Sequence, residues 1–112
     1  MKPTRYYSSR QEKQIAKSIG GKQVANSGAT SFHKGDVKTA DWLIEAKTVT
    51  KVKDSFSIKK AWLIKNQEEA FAMNRRYAAL AFNFGPDEEN YYVISEKLFK
   101  ELVKYIQEDR EV

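Results

Sequence analysis

Two aspartates, a glutamate and a lysine frame a short apolar run in KGDVKTADWLIEAK, residues 34–47. If 42–49 is a strand, alternation puts Leu43, Glu45, Lys47 and Val49 on one face and Trp42, Ile44, Ala46 and Thr48 on the other. Glu45 and Lys47 then emerge side by side from mid-strand, where uncompensated burial of charge costs on the order of several kcal/mol. A second strand over 35–39, joined to the first through the turn TAD, lays Asp36 beside Glu45. Two carboxylates converging on one point repel unless a cation lies between them, and an adjacent lysine can orient or deprotonate a water and steady developing charge. That combination suits metal-assisted hydrolysis of a phosphodiester, with Asp36 and Glu45 as metal ligands and Lys47 as a point charge. The plain alternative is an exposed Glu45–Lys47 ion pair, contributing under about 1 kcal/mol. Asp41 reads as a turn former rather than a further ligand.

Composition limits the metal. The chain has no cysteine and one histidine, His33, so thiolate and multi-histidine centres are excluded and an ion must be held mainly by oxygen. Magnesium, or manganese in its place, fits that donor set. Lysine and arginine outnumber the acids by 20 to 15, a formal charge of +5 compatible with a polyanionic partner. At 112 residues, 41% hydrophobic, the chain is read as one α/β domain over 1–112 with a short flexible arm at 1–8. Neither a leader-like apolar segment nor a bilayer-length one is present, and a cytoplasmic location is expected.

The elements that must position these residues follow from periodicity. SRQEKQIAKSI, 9–19, predicts a helix with Ile15, Ala16 and Ile19 on one face, stopped by Gly20 and Gly21. Residues 22–26 predict a short strand, and SGATSFHKG a loop. SFSI, 55–58, reads as an edge strand. A helix over 60–75 carries Leu63, Gln67, Ala70 and Phe71 on its stripe, the apolar YAALAFNF at 77–84 predicts a central strand, and YYVI a last one. Ser95 caps a closing helix with Leu98, Leu102, Val103 and Ile106 inward. The order predicts a central mixed β-sheet flanked by helices.

Further polar residues fall where chemistry is open to them. Glu12 shares the inner helical face; it either completes a capping box with Ser9 or adds a carboxylate to the metal site. Gln67 either closes a buried hydrogen bond or touches the reacting water or lysine. The loop supplies Asn26, Ser27, Thr30, Ser31, His33 and Lys34, small donors beside a basic residue that suit phosphate contacts or simply a solvated loop. Lys51, Lys53, Lys59, Lys60 and Lys65, with Arg75 and Arg76, extend a basic track for nucleic acid or solvate the surface. Trp42, Trp62, Tyr91 and Tyr92 read as packing residues.

Glu12 in the first helix, SGA at 27–29, KGDV at 34–37, IEAK at 44–47, a helix bearing Gln67 and the strand YAALAFNF together resemble the archaeal-type Holliday junction resolvases and their phage relatives. These belong to the PD-(D/E)xK nuclease superfamily, and the resemblance spans roughly residues 10–95. It implies a restriction-endonuclease-like fold, with Asp36, Glu45 and Lys47 as the acidic-acidic-lysine signature, Glu12 as the first-helix glutamate and Ser27 or Ser31 as the loop serine that assists cleavage. It further implies a magnesium-dependent homodimer acting on four-way DNA junctions. Gly35 stands where the pattern has proline, and Ala25 and Asn26 where it has an arginine ahead of the SG pair. A nicking or linear-duplex endonuclease of the same fold, a non-catalytic DNA-binding protein and a structural part of a larger assembly are the alternatives.

Overall fold

The computed structural model describes residues 2–24 and 36–110. Helix α1 (Thr4–Ile19) leads into strand β1 (Lys22–Gln23), then β2 (Asp36–Lys38), β3 (Trp42–Lys47), helix α2 (Lys60–Ala72), β4 (Tyr77–Phe82), β5 (Tyr91–Val93) and helix α3 (Glu96–Arg110). The strands form one mixed sheet in chain order, β1-β2-β3-β4-β5, antiparallel except for the parallel pair β3 and β4. That parallel pair is joined by α2, because parallel neighbours need a crossover long enough to hold a helix.

α1 begins five residues before the expected helix. Its N-cap is Pro3, whose fixed φ suits a helix start, and Tyr6 N donates to Pro3 O at 3.0 Å. Residues 4–8 are therefore helical rather than a flexible arm, and Ser9 lies inside the helix, where it cannot form a capping box with Glu12. Gly20, at φ +68°, stops α1 in the left-handed conformation, and Gly21 passes so close to β2 that a Cβ there would lie 2.8 Å from Lys38 O.

The sheet core has two sides. Ile15 of α1 packs with Val37, Ile44, Ala79 and Ala81, and Ala16, Trp42, Ala46 and Ile94 border that cluster. On the α2 side Leu43, Leu80 and Ala70 are buried. β4 carries alanines at 78, 79 and 81, small side chains that let both α1 and α2 approach it. The TAD turn is built as the sequence predicts: Thr39 Oγ1 accepts from the backbone N–H of Asp41 and Trp42.

Further element expectations need correction, among them the inward stripe of α3, of which only Leu98 is buried. SFSI forms no strand; Phe56 instead stacks on Phe82 at 4.7 Å and tilts against Trp62 at 6.3 Å. α2 turns Asn66, Glu69 and Ala70 inward, while Phe71 is 86% exposed, so its buried stripe is rotated from the expected one and Gln67 is exposed. α2 also ends at Ala72, where Asn74 adopts φ +61° and Arg75 N donates back to Ala70 O at 2.8 Å. Ser95 does cap α3, its Oγ accepting from Leu98 N at 3.1 Å. No helix among the described residues is long and apolar enough to cross a membrane.

Candidate active site

β2 and β3 pair so that Asp36 stands directly opposite Glu45, Val37 opposite Ile44 and Lys38 opposite Leu43. Directly opposed residues on one face have Cβ atoms roughly 4.5–5.5 Å apart, so the two carboxylates converge as the sequence predicts. Both are buried, Asp36 to 1% exposure and Glu45 to 8%. Lys47 emerges two residues further along the same face, its Nζ 3.3 Å from Glu45 Oε2 and 4.2 Å from the centre of the Trp62 ring. The indole at the start of α2 thus covers one side of the ammonium and the glutamate the other, fixing a side chain that would otherwise be mobile.

A third buried acid completes this face. Glu69, on the inward side of α2, adds its charge to those around Asp36. Burial first, then the charges of Glu45, Glu69 and Glu12, push the Asp36 carboxyl up to about 8, and Lys65 only partly opposes them. Glu12 is itself raised by burial, against a hydrogen bond from Gln23 Nε2 at 3.4 Å and the charge of Arg5. The partner of Glu12 is thus β1, not the start of its own helix, and its charge reaches Asp36.

The far end of Lys47 is also anchored. Gln11, buried in α1, donates to Lys47 O at 3.0 Å and to Asn90 Oδ1 at 3.0 Å, and accepts from the Thr48 hydroxyl at 2.7 Å. One amide thereby ties α1, the end of β3 and the residue ahead of β5 into a single mount for the lysine backbone.

Of the residues singled out in the sequence, Asp36, Glu45 and Lys47 come together, with Glu12 at the margin. Gln67 does not join them: it lines a separate cavity of about 390 Å³ with Arg75, Tyr77, Ser95 and Lys97. Lys51 and Lys53 are exposed along the connection that leaves β3 just beyond Lys47, and Lys60 is exposed as the first residue of α2. Asn26, Ser27, Thr30, Ser31, His33 and Lys34 lie outside the described residues.

The sequence does not single out Glu69 or Gln11, and it marks Trp62 as a packing residue without its place over Lys47. A stripe through Trp62, Asn66, Glu69 and Ala70 follows helical spacing as well as the stripe through Leu63, Gln67, Ala70 and Phe71. It was passed over because two of its members are polar, and polarity on a helix's inner face is itself the signal of a site.

Among the described residues no group of three or more carboxylate or imidazole side chains stands ready to hold an ion. Magnesium asks for less: one or two carboxylates, with waters and substrate oxygens completing its octahedron. The oxygen-only pair Asp36 and Glu45 fits such an ion, since a divalent cation beside them would offset the burial and the neighbouring negative charge that raise Asp36. Compared with protein-family models, curated proteins and solved structures, the chain matches none.

Proposed function

We propose that the chain is a magnesium-dependent DNA endonuclease of restriction-endonuclease-like fold that resolves four-way junctions as a cytoplasmic homodimer. The observation that carries this reading is the register pair Asp36–Glu45 with Lys47 beside it on one face of the sheet. Two buried acids directly opposed across a ladder weaken a fold that has no use for them, because like charges in that position repel and burial discourages Asp36 from ionising.

In this reading Asp36 and Glu45 are the residues that would hold the ion, and Glu12 adds its charge from the margin. Bound magnesium supplies Lewis-acid polarisation of a phosphate oxygen and lowers the pKa of a water. Lys47 presents its ammonium between the Glu45 carboxylate and the Trp62 ring, placed to meet a phosphate oxygen or to orient the attacking water. Glu69 keeps the local field negative until a cation arrives, which favours loading of the ion. Exposed Lys51 and Lys53 on the β3–α2 connection, and Lys60 at the start of α2, continue from the site and meet the DNA backbone. Selection of a branched substrate follows from shape and phosphate contacts, which require no added base-reading module.

The test is strand-resolved cleavage of a labelled four-way junction with and without magnesium, by the wild type and by Glu45→Gln. Cleavage needs magnesium and falls at least about a thousandfold in the variant, as expected when a metal ligand is removed, while junction binding persists. Magnesium-independent binding with no cleavage by the wild type would instead identify a non-catalytic DNA-binding protein.

A further inference from the structure

The end of the sheet away from Lys47 carries a second polar concavity. Register sets Tyr77 of β4 beside Trp42 and Phe82 beside Lys47, so at about 3.3 Å per residue Tyr77 lies roughly 16 Å along the sheet from the lysine. The cavity of about 390 Å³ at that end is lined by Tyr77, by the last turn of α2 and residues just beyond it, and by the first turns of α3. Ala70, Ala78 and Leu98 give it an apolar lining.

Its charge is one-sided. Arg75, Arg76 and Lys97 line it against a single acid, Glu101, and no ion pair joins Glu101 to any of them among the described residues. Glu68 of α2 and Glu96 of α3 do not line it. Arg76 lies over the Tyr77 ring, 5.3 Å from its centre, and Arg75 is braced by its Nη1, which donates to Met73 O at 2.8 Å.

Two buried donors here lack acceptors. Arg75 Nε is buried with no hydrogen-bond partner. A recess of about 40 Å³ adjoins the cavity, sharing Gln67, Ala78 and Ser95 with it, and Asn66 lines that recess. Asn66 is 2% exposed, and its Nδ2 likewise has no partner. An unpaired buried donor costs about 1–3 kcal/mol, so two of them around one concavity call for a ligand rich in acceptors. Ser95 adds a third group, since its Oγ accepts from Leu98 N and keeps its O–H to donate.

Phe71 selects the kind of anion. Its ring is 86% exposed and lines the same cavity. A lone exposed phenylalanine is ordinary, but one set beside three cations and unpaired donors offers a platform for a planar ring that carries an anionic group. Three cations against one acid match a doubly charged phosphate better than a singly charged carboxylate.

We propose that this cavity is a second binding site, for a nucleoside phosphate, with Arg75, Arg76 and Lys97 on the phosphate, Asn66 and Ser95 donating to ligand oxygens, and the base laid on Phe71. A free nucleotide and the unpaired end of a nucleic-acid strand present this same chemistry. The cavity shares no residue with the acids around Asp36, and the proposal stands apart from the nuclease reading.

Backbone-amide NMR of the full-length protein, titrated with adenosine 5′-monophosphate in the absence of magnesium, tests it. Shifts are expected at Gln67, Phe71, Arg75, Arg76 and Lys97, with the nucleotide binding at least about tenfold tighter than adenosine or inorganic phosphate alone. Phe71→Ala should weaken it about fivefold or more, the low end for base stacking, and Arg76→Gln with Lys97→Gln about tenfold or more. Glu101→Gln should tighten it about twofold, a gain that a merely structural role of Glu101 would not produce, while Glu45→Gln leaves it unchanged. The substituted cavity residues are exposed, and the same spectra show whether each variant is folded; if one is not, the wild-type ligand comparison and the map of shifts decide. A 5′-phosphorylated trinucleotide that displaces the mononucleotide at about tenfold lower concentration assigns the site to a strand end, and one without that advantage assigns it to the free nucleotide; either result supports the site. Nucleotide binding no tighter than that of adenosine, shifts centred on Lys47 and Trp62, or a folded Arg76→Gln, Lys97→Gln protein that binds as the wild type does overturns the proposal.

Discussion

Asp36 carries the most informative single-residue behaviour. Its carboxyl is pushed up to about 8 by burial and by Glu45, Glu69 and Glu12, whereas in the unfolded chain it has the ordinary carboxylate value near 4. Between those limits the metal-free folded state holds a proton that the unfolded state has lost. The folded protein therefore binds more protons, and stability falls as pH rises from about 4 to about 8, by up to about 1.4 kcal/mol per pH unit from this group. Urea denaturation at pH 6 and pH 9 checks the sign: the metal-free wild type is less stable at pH 9, and Asp36→Asn removes most of the difference. Added magnesium should flatten the wild-type dependence, because the cation favours the ionised form. Lys47 offers a complementary prediction. Lys47→Met keeps a long apolar stem against Trp62 and removes only the charge, so melting should shift little while single-turnover cleavage slows about a hundredfold or more.

At the scale of elements, a serine acts by its place. Ser95 accepts from Leu98 N at the start of α3, so Ser95→Ala should cost about 1 kcal/mol in denaturant unfolding. Ser9 lies within α1, and Ser9→Ala should be neutral or slightly stabilising, as alanine is the better helix interior residue. The same contrast shows what sequence could reveal. The pairing of Asp36 with Glu45 was legible because strand alternation and a three-residue turn leave one register that buries both Val37 and Ile44. The start of α1 was not, since Tyr6 and Tyr7 give no apolar periodicity and Pro3 is as common in loops as at helix starts. The inward face of α2 is hidden for a different reason: Phe71 attracts a hydrophobic reading, yet the helix buries Asn66 and Glu69 instead, and Glu69 adds its charge to the acids of the sheet beneath. Gln11 was invisible because its three hydrogen bonds join segments more than thirty residues apart in sequence.

If the chain acts on DNA as proposed, one small domain must handle a large polyanion. The formal charge is +5, yet the acids Glu12, Asp36, Glu45 and Glu69 concentrate at the site, so attraction for phosphate must come from lysines around it. Lys51 and Lys53 lie on the exposed connection after β3 and Lys60 begins α2, and replacing all three with alanine should weaken junction binding and flatten its salt dependence. Each lost phosphate contact lowers the slope of log affinity against log salt by roughly 0.9. These contacts carry no sequence information, so they cannot by themselves favour a junction over a duplex. In the proposed resolvase, preference for the branch would come from geometry, namely two sites held at fixed spacing by a symmetric dimer, each reaching one of the two strands to be cut. Competition binding at fixed salt should therefore show the junction displacing an equal length of duplex at least about tenfold more effectively, and strand-resolved cleavage should give paired, symmetric nicks near the crossover. Equal affinity for duplex and junction, with scattered single nicks, would leave Asp36, Glu45 and Lys47 as a nuclease centre and remove the resolvase assignment.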